Sequence, residues 1–185
     1  LPEGAPTEDI FLRLLSLLGK DDLIIDGANG NWRDAVRRSA TAAQRGIGFI
    51  DAGVSGGIWG LSNGYCVMAG GEKDSFKNAE PFMQALCQEG GYLHCGAAGA
   101  GHYVKMIHNA IEYAMMEAYG EGFELLKASP FGAVDPASVA ALWNRGSVIR
   151  SWLLELAQNA LDKDPGLEQV SGLVHDSGEG RWAVE

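Results

Sequence analysis

Short apolar runs alternate with amphipathic segments through the first hundred residues, and this alternation constrains the fold more than any other feature of the chain. The apolar runs predict four strands, at residues 23–26, 47–51, 65–69 and 91–94. The intervening segments predict a helix at 7–18 capped by Thr7, a helix at 32–45, and a third helix broken at Pro81. Strands that alternate with helices through short loops predict an α/β fold with a mostly parallel sheet.

The pattern changes at about Gly101, where the alternation gives way to helix alone. No proline interrupts the chain from His102 to Ala128, which predicts one long helix. Two further helices are predicted at 136–143 and 148–160. The chain therefore divides into an α/β part, residues 1–101, followed by an all-α part, residues 102–185.

The charge balance excludes several classes of function. Fourteen lysines and arginines stand against 24 aspartates and glutamates, for a net charge of −10, and no basic run occurs. Non-specific nucleic-acid binding and docking on anionic membranes both need clustered cations, so neither is predicted. No apolar stretch approaches the ~20 residues of a membrane span. Three cysteines without a CxxC pair favour a reducing, cytoplasmic location, and the isolated histidines predict no metal site.

The most informative residues lie on one face of the predicted long helix. With Lys105 as zero and about 100° per residue, His108, Asn109 and Glu112 fall at about 300°, 40° and 340°. The other faces are largely apolar, so this polar stripe is predicted to face a cavity or a partner. Burial shifts the pKa of lysines and carboxyl groups in opposite directions, which suits acid–base work. A hydrogen-bonded network on a solvated helix face explains the spacing equally well, and both interpretations stay open.

Several glycine-rich segments are candidates for ligand contact. The Ser-Gly-Gly turn at 55–57 follows a predicted strand and offers a hydroxyl and unhindered amides suited to a carboxylate. Asn29 follows the preceding strand in the same way, although Asn-Gly is also ordinary turn chemistry. The glycines at 96–101 would let backbone or ligand approach the start of the long helix. A terminal glycine loop at 176–182 carries one arginine and equally suits a surface loop.

Five segments, taken in order, resemble the shorter form of the decarboxylating 6-phosphogluconate dehydrogenases. They are IDGAN at 25–29, FIDAGVSGGIWGLSNGYCVMAGG at 49–71, GAGHYVKMIHNAIEY at 99–113, RGSVIRSWLLEL at 145–156 and DSGEGRW at 176–182. The combination is specific and covers nearly all 185 residues. The resemblance implies the C-terminal part of a Rossmann-like NAD(P)-binding domain over 1–101. It implies part of a helical domain of this family's C-terminal type over 102–185.

The resemblance also implies an activity and roles for the candidate residues. The activity is oxidation of 6-phosphogluconate at its 3-hydroxyl, with NADP or NAD as cofactor, and loss of CO2 to give ribulose 5-phosphate in the pentose phosphate pathway. By position, Lys105 would be the general base and Glu112 the acid that protonates the enediol carbon. The substrate-binding residues would be Asn29, which would also contact the cofactor, Ser55, Gly56, Gly57, His108, Asn109 and Tyr113, the last at the phosphate.

The chain departs from the family pattern in several places. Ala28, Ala110 and Ala114 replace expected glycines, and the terminal loop has no lysine for the phosphate. No GxGxxG dinucleotide fingerprint occurs in the 185 residues, so we expect the chain to be incomplete at its N-terminus relative to the family. The resemblance covers only part of the family's helical domain, so we expect the same at the C-terminus. A related β-hydroxyacid dehydrogenase and an inactive fragment or assembly module are the alternatives. Apolar side chains after the long helix favour a homodimer.

Overall fold

The computed structural model describes residues 1–132 and 134–185, which form two compact units. The first unit contains Leu1–Asn109 and Gly178–Glu185, and the second contains Ala110–Ser177. Among the described residues, no helix combines the length and the apolar character needed to cross a membrane.

The first unit is built on one four-stranded sheet. Its strands follow the chain in order, β1 Leu23–Asp26, β2 Gly48–Ser55, β3 Tyr65–Gly71 and β4 Cys87–Gly96. The β1–β2 and β3–β4 pairs are parallel, whereas β2 and β3 are antiparallel, so the prediction of a mostly parallel sheet is confirmed. The link from β2 to β3 is too short for a parallel crossover, because it contains only a 3-10 turn, Gly57–Trp59, and the one-turn helix α3, Gly60–Asn63.

Helices cover both faces of this sheet. They are α1 Ala5–Leu17, α2 Trp32–Ala43 and α4 Lys73–Leu86. Phe49 of β2 packs in a core cluster with α1 and α2, and its ring lies edge to face with that of Phe11, with 6.1 Å between the ring centroids. Its neighbour Ile50 packs in a second cluster with α4, because successive side chains of a strand point to opposite faces. Burial on both sides makes β2 the central support for the residues at its carboxyl end.

Two local predictions are wrong. Thr7 does not cap α1, because the helix begins two residues earlier and the Thr7 hydroxyl instead donates to the Pro2 carbonyl at 2.7 Å. Pro81 does not break α4, which continues through it. Ala79 and Met83 on either side of the proline are buried in the core, and this packing holds the helix together despite the missing backbone hydrogen bond.

The second unit is helical, as the sequence predicts. The long helix α5, Ala100–Lys127, begins in the first unit and continues into the second. It is followed by α6, Pro136–Trp143, and α7, Trp152–Lys163. The start of α7 lies later than predicted because Ser151 is its N-cap and accepts a backbone hydrogen bond from the first turn. Part of the predicted terminal loop is instead a one-turn helix of the first unit, α8, Glu179–Trp182.

Candidate active site

One side chain ties the turn after β1 to the end of β2. Asn29 has a φ of +52°, in the left-handed region that asparagine tolerates. Its Nδ2 donates to the Val54 carbonyl at 3.0 Å, and its Oδ1 accepts the Val54 N–H at 2.7 Å. An amide has two donor hydrogens and two acceptor lone pairs, so Asn29 retains one of each for a ligand. Two segments that are distant in sequence thereby form one surface.

The Ser-Gly-Gly turn continues directly from this strand end. Ser55 is the last residue of β2, and Gly56 and Gly57 have φ values of +127° and +54°. A Cβ on Gly56 would lie 3.3 Å from Cδ1 of Tyr65, which is closer than most Cβ contacts. A half-buried hydroxyl followed by two bare backbone units fits the turn to an oxyanion such as a carboxylate.

A buried aspartate fixes the start of α5 to the sheet. Asp51 of β2 has no exposed surface, and its carboxylate accepts the Gly99 N–H at 2.6 Å and the His102 N–H at 2.8 Å. The first N–H groups of a helix lack partners within the helix and favour a negative charge nearby. Asp51 therefore occupies the position that a bound anion takes at other helix N-termini.

Missing side chains let α5 lie directly on the strands. A Cβ on Gly101 would sit 2.4 Å from backbone carbonyl oxygens of β2 and β3. A Cβ on Gly53 would lie 2.3 Å from the Cβ of Lys105. Because Gly53 precedes Ser55 by two residues, the Lys105 side chain starts beside the strand end that carries the Ser-Gly-Gly turn.

Lys105, His108 and Asn109 form a hydrogen-bonded group, referred to below as the lysine cluster. Lys105 Nζ donates to Asn109 Oδ1, and these two residues are only 7% and 3% exposed. His108 is half-buried, and its Nδ1 lies 3.0 Å from Asn109 Oδ1 and 3.4 Å from Lys105 Nζ. The spacing is that of a helix-surface network, but the lysine and the amide are buried. An amine, an imidazole and an amide arranged in this way can hold a hydroxyl group and exchange its proton.

Glu112 and Tyr113 belong to the second unit, on the continuation of α5. Glu112 is half-buried, and Tyr113 is 41% exposed. Of the residues singled out from the sequence, the structure brings together the lysine cluster and, separately, Asn29 with the end of β2. Glu112 and Tyr113 keep the roles that the resemblance implies as predictions.

Asp51 and His102 are buried polar residues of the first unit to which the sequence analysis gave no role. Asp51 interrupts an otherwise apolar strand, and that interruption is the signal that could have identified it. His102 is 1% exposed, and neither of its ring nitrogens has a hydrogen-bond partner among the described residues. It precedes Lys105 by three residues on the same helix face. Across the described part of the chain, no group of three His, Cys, Asp or Glu side chains could hold a metal ion.

Comparisons with known proteins match the whole chain to one family. Residues 1–99 match the model of the NAD binding domain of 6-phosphogluconate dehydrogenase, and residues 101–185 match that of its C-terminal domain. A Bacillus subtilis protein, YqeC, provisionally named as a 6-phosphogluconate dehydrogenase, is 48% identical over 96% of the chain. The NAD(+)-dependent, decarboxylating 6-phosphogluconate dehydrogenase of Haloferax volcanii is 41% identical over 100% of it. The chain spans 60% and 61% of the lengths of these relatives.

The structural comparison gives the same result. The Plasmodium falciparum 6-phosphogluconate dehydrogenase, solved in its apo form, with its cofactor NADP+ and with its substrate 6-phosphogluconate, matches with a TM-score of 0.85 at 27% identity. The match covers 100% of this chain and 42% of that one. Because models of two domains of one enzyme match consecutive parts of the sequence, the chain belongs to the 6-phosphogluconate dehydrogenase family.

Proposed function

We propose that this chain provides the sugar-acid site of an NAD- or NADP-dependent, decarboxylating 6-phosphogluconate dehydrogenase. The observation that carries the proposal is the buried lysine cluster, whose Lys105 starts beside the strand end bearing Ser55. Ligands of open α/β sheets bind beyond the carboxyl ends of the strands, which is where this cluster begins. The decarboxylating enzyme of Haloferax volcanii and the 6-phosphogluconate complex of the Plasmodium enzyme support the choice of substrate.

Lys105 acts first in the proposed reaction, as the general base. In its neutral form it takes the proton of the substrate 3-hydroxyl as the hydride leaves C3, and its burial keeps the reacting atoms away from bulk water. Asn109 and His108 lie beside the lysine amine, and their amide and imidazole groups hold the reacting hydroxyl group by hydrogen bonds. The nicotinamide cofactor, when bound, supplies the hydride acceptor.

The resulting 3-keto acid then loses its carboxylate as CO2. The electron pair of the broken C–C bond passes into an enediolate, and the Lys105 ammonium returns its proton to the oxygen on C3. Glu112, as the acid, protonates the carbon that carried the carboxylate while Lys105 takes back the enediol proton. The product of these transfers is ribulose 5-phosphate. Over the whole reaction the neutral amine of Lys105 becomes an ammonium, and the carboxylic acid of Glu112 becomes a carboxylate.

The remaining residues bind and orient the ligands. Ser55, Gly56 and Gly57 bind the substrate carboxylate, and Tyr113 reaches the phosphate. Asn29 follows the carboxyl end of β1, the region where dinucleotides bind in such sheets. Its remaining donor and acceptor positions contact the sugar acid and suit the nicotinamide end of the cofactor. These 185 residues contain no GxGxxG cradle, so the fit is limited to that end of the cofactor.

We also propose that the protein acts as a homodimer. Val148, Ile149 and Trp152 of the second unit are apolar and exposed, which suits them to an interface. Sedimentation equilibrium of the protein as encoded is expected to give twice the mass of one chain, and a monomer at micromolar concentration would contradict this proposal.

The substitution Lys105→Met tests the proposed function. It is made in the protein as encoded, including any residues that flank these 185. We expect turnover of 6-phosphogluconate, followed by the absorbance of the reduced nicotinamide, to fall by about 10²–10⁴-fold, the usual contribution of a general base. Calorimetric binding of 6-phosphogluconate is expected to remain detectable. Lys127→Met is the matched control, because this exposed lysine ends the same helix.

Three outcomes would contradict the proposal. Wild-type turnover by the Lys105→Met variant would exclude this lysine as the base. A wild-type protein that oxidises 3-hydroxyisobutyrate but not 6-phosphogluconate would assign the chain to a related β-hydroxyacid dehydrogenase activity. A protein as encoded that binds neither NAD nor NADP would be an assembly module.

A further inference from the structure

A buried ion cluster lies beneath the turn after β1. The Arg38 side chain of α2 is 3% exposed, and its Nη1 donates to Asp26 Oδ2 at 3.0 Å. Its Nε donates to Glu8 Oε2 of α1, also at 3.0 Å. Removing both members of the Arg38–Asp26 pair from water is costly, and burial of such a pair is poor support for a purely stabilising role. The pair is therefore better accounted for by the positions in which it holds its neighbours than by the stability it adds.

The Asp26 carboxylate links Arg38 to the backbone of the turn. While Oδ2 accepts from Arg38, Oδ1 accepts the Ala28 N–H at 3.1 Å, so both oxygens of the carboxylate are held. The bond to Ala28 closes the turn in the conformation that gives the next residue, Asn29, its φ of +52°. A Cβ on Gly30 would lie 3.9 Å from Arg38 Nη1, so the guanidinium also lies against the far side of the turn.

Asn29 then takes the place of a strand residue. β1 and β2 are paired in register up to Asp26 and Asp51, and Asn29 and Val54 each lie three residues further on. Beyond Asp26 the β1 backbone turns away, but the Asn29 side-chain amide bonds both the N–H and the C=O of Val54, as a neighbouring peptide group would. The side chain extends the ladder to the residue that precedes Ser55.

We propose that Arg38 is a positioning residue for the substrate site, which it controls through Asp26 and the Asn29–Val54 contact. This inference rests on the proposed function, in which Asn29 and Ser55 contact the sugar acid. Loss of Arg38 frees the Asp26 carboxylate, loosens the turn, and lets the end of β2 separate from Asn29. Substrate binding at the Ser-Gly-Gly turn weakens as a result, although Arg38 touches no ligand.

Arg37 offers a matched control on the same helix. It donates to both carboxylate oxygens of Glu8 at 2.8 Å and to Asp34 at 3.2 Å, but its side chain is 52% exposed and none of these hydrogen bonds involves Asp26. Arg37→Met therefore removes a cation and an ion pair with Glu8 while leaving the turn after β1 intact. Arg38→Lys is the conservative variant, since one ammonium can still reach a carboxylate.

The first measurement is amide hydrogen exchange by NMR, which needs no activity. In Arg38→Met we expect the Ala28 and Val54 amides to exchange about tenfold faster relative to the β3 amides, and Arg38→Lys to restore part of the protection. Arg37→Met is expected to leave these ratios unchanged. Should Arg38→Met fail to fold, Asp26→Asn replaces it, because the asparagine keeps an acceptor for Ala28 but loses the charge that holds Arg38.

The second measurement is steady-state kinetics of the protein as encoded. Arg38→Met is expected to raise the KM for 6-phosphogluconate about tenfold with a smaller change in kcat, and Arg37→Met to change neither by more than about twofold. Uniformly faster exchange at all amides, or an unchanged Val54 ratio in both Arg38→Met and Asp26→Asn, would overturn the positioning role. If the wild type does not oxidise 6-phosphogluconate, the proposed function fails while the exchange result still decides the role of Arg38.

Discussion

Gly53→Ala is the substitution that most directly tests how α5 lies on the sheet. The added methyl carbon would sit 2.3 Å from Lys105 Cβ and 2.9 Å from the Gly101 carbonyl oxygen. Carbon atoms pack best at about 3.5–4.0 Å, so the first contact is more than about 1 Å too short. The helix cannot simply move away, because Gly101 is itself packed against the backbones of β2 and β3 and Asp51 holds the start of the helix.

Two magnitudes follow from this crowding. Overpacking in a rigid environment costs about 1–3 kcal/mol, and the upper part of that range applies because both contacts involve atoms with little freedom. A shift of Lys105 by about 1 Å is expected to reduce turnover by about 10²-fold. Urea denaturation gives the loss in the free energy of unfolding, and turnover of 6-phosphogluconate by the folded protein gives the second value.

Gly120→Ala is the control, because it makes the same glycine-to-alanine change at an uncrowded position of α5. A Cβ on Gly120 would meet nothing within 4 Å, so alanine there should stabilise the helix by up to about 1 kcal/mol. A Gly53→Ala variant that unfolds at the wild-type urea concentration and turns over substrate at the wild-type rate would contradict the predicted crowding. Such a result would mean that α5 does not contact β2 at Gly53.

Three further substitutions test individual contacts. Asp51→Asn replaces one of the two oxygens that accept backbone N–H groups with an NH2 group, so we expect urea denaturation to show a free energy of unfolding lower by about 2–3 kcal/mol. A decrease under about 0.5 kcal/mol would show that the Asp51 carboxylate does not hold the start of α5. Hydrogen bonds from Arg37 and from Arg38, together with the charges of both guanidinium groups, lower the pKa of Glu8 from 4.5 to about 2. The contribution of the ionised Glu8 to stability is therefore present above pH 4.5 and is lost as the pH falls towards 2. Between these pH values the melting temperature of Glu8→Gln should fall less than that of the wild type. Equal falls would show that Glu8 does not contribute in this way. Tyr119→Phe removes the hydroxyl that donates to the Ile149 carbonyl at 2.6 Å and lies 2.8 Å from the Ser151 hydroxyl, so it should lower the free energy of unfolding by about 1 kcal/mol, and no change would show that water replaces these bonds fully.

The order of the elements could be predicted from the sequence because each apolar run and each amphipathic segment reports its own local period. The ends of the elements depended on distant residues. The run 47–51 predicts a strand that stops at Asp51, because a charged residue usually ends a buried strand. In the structure β2 continues to Ser55, since two backbone amides at the start of α5 satisfy that carboxylate.

The candidate site was predictable to the extent that it follows one helix. The period of α5 placed Lys105, His108 and Asn109 on one face, and the structure joins them in the lysine cluster. The contacts that hold the site in place link residues 25 positions apart, for Asn29 and Val54, and 48 positions apart, for Asp51 and Gly99. Nothing in the local pattern identifies such partners, because either residue of each pair is compatible with many others.

The glycines before α5 make room for the protein's own backbone, one of the two possibilities that the sequence left open. Residues 96–101 were expected to let backbone or ligand approach the start of the helix, and a Cβ on Gly99 would lie 2.7 Å from Val36 Cγ2 and 3.1 Å from the Trp32 carbonyl oxygen. The protein itself fills that space, and the Asp51 carboxylate already satisfies the amides that an anion would use. An anionic sugar acid would be repelled by Asp51 at this helix end. Asn29, the turn at 55–57 and the lysine cluster therefore have to provide the binding contacts of the first unit. For this reason a substitution at Gly53, which lies between the turn and the cluster, should affect turnover more than one at Gly99.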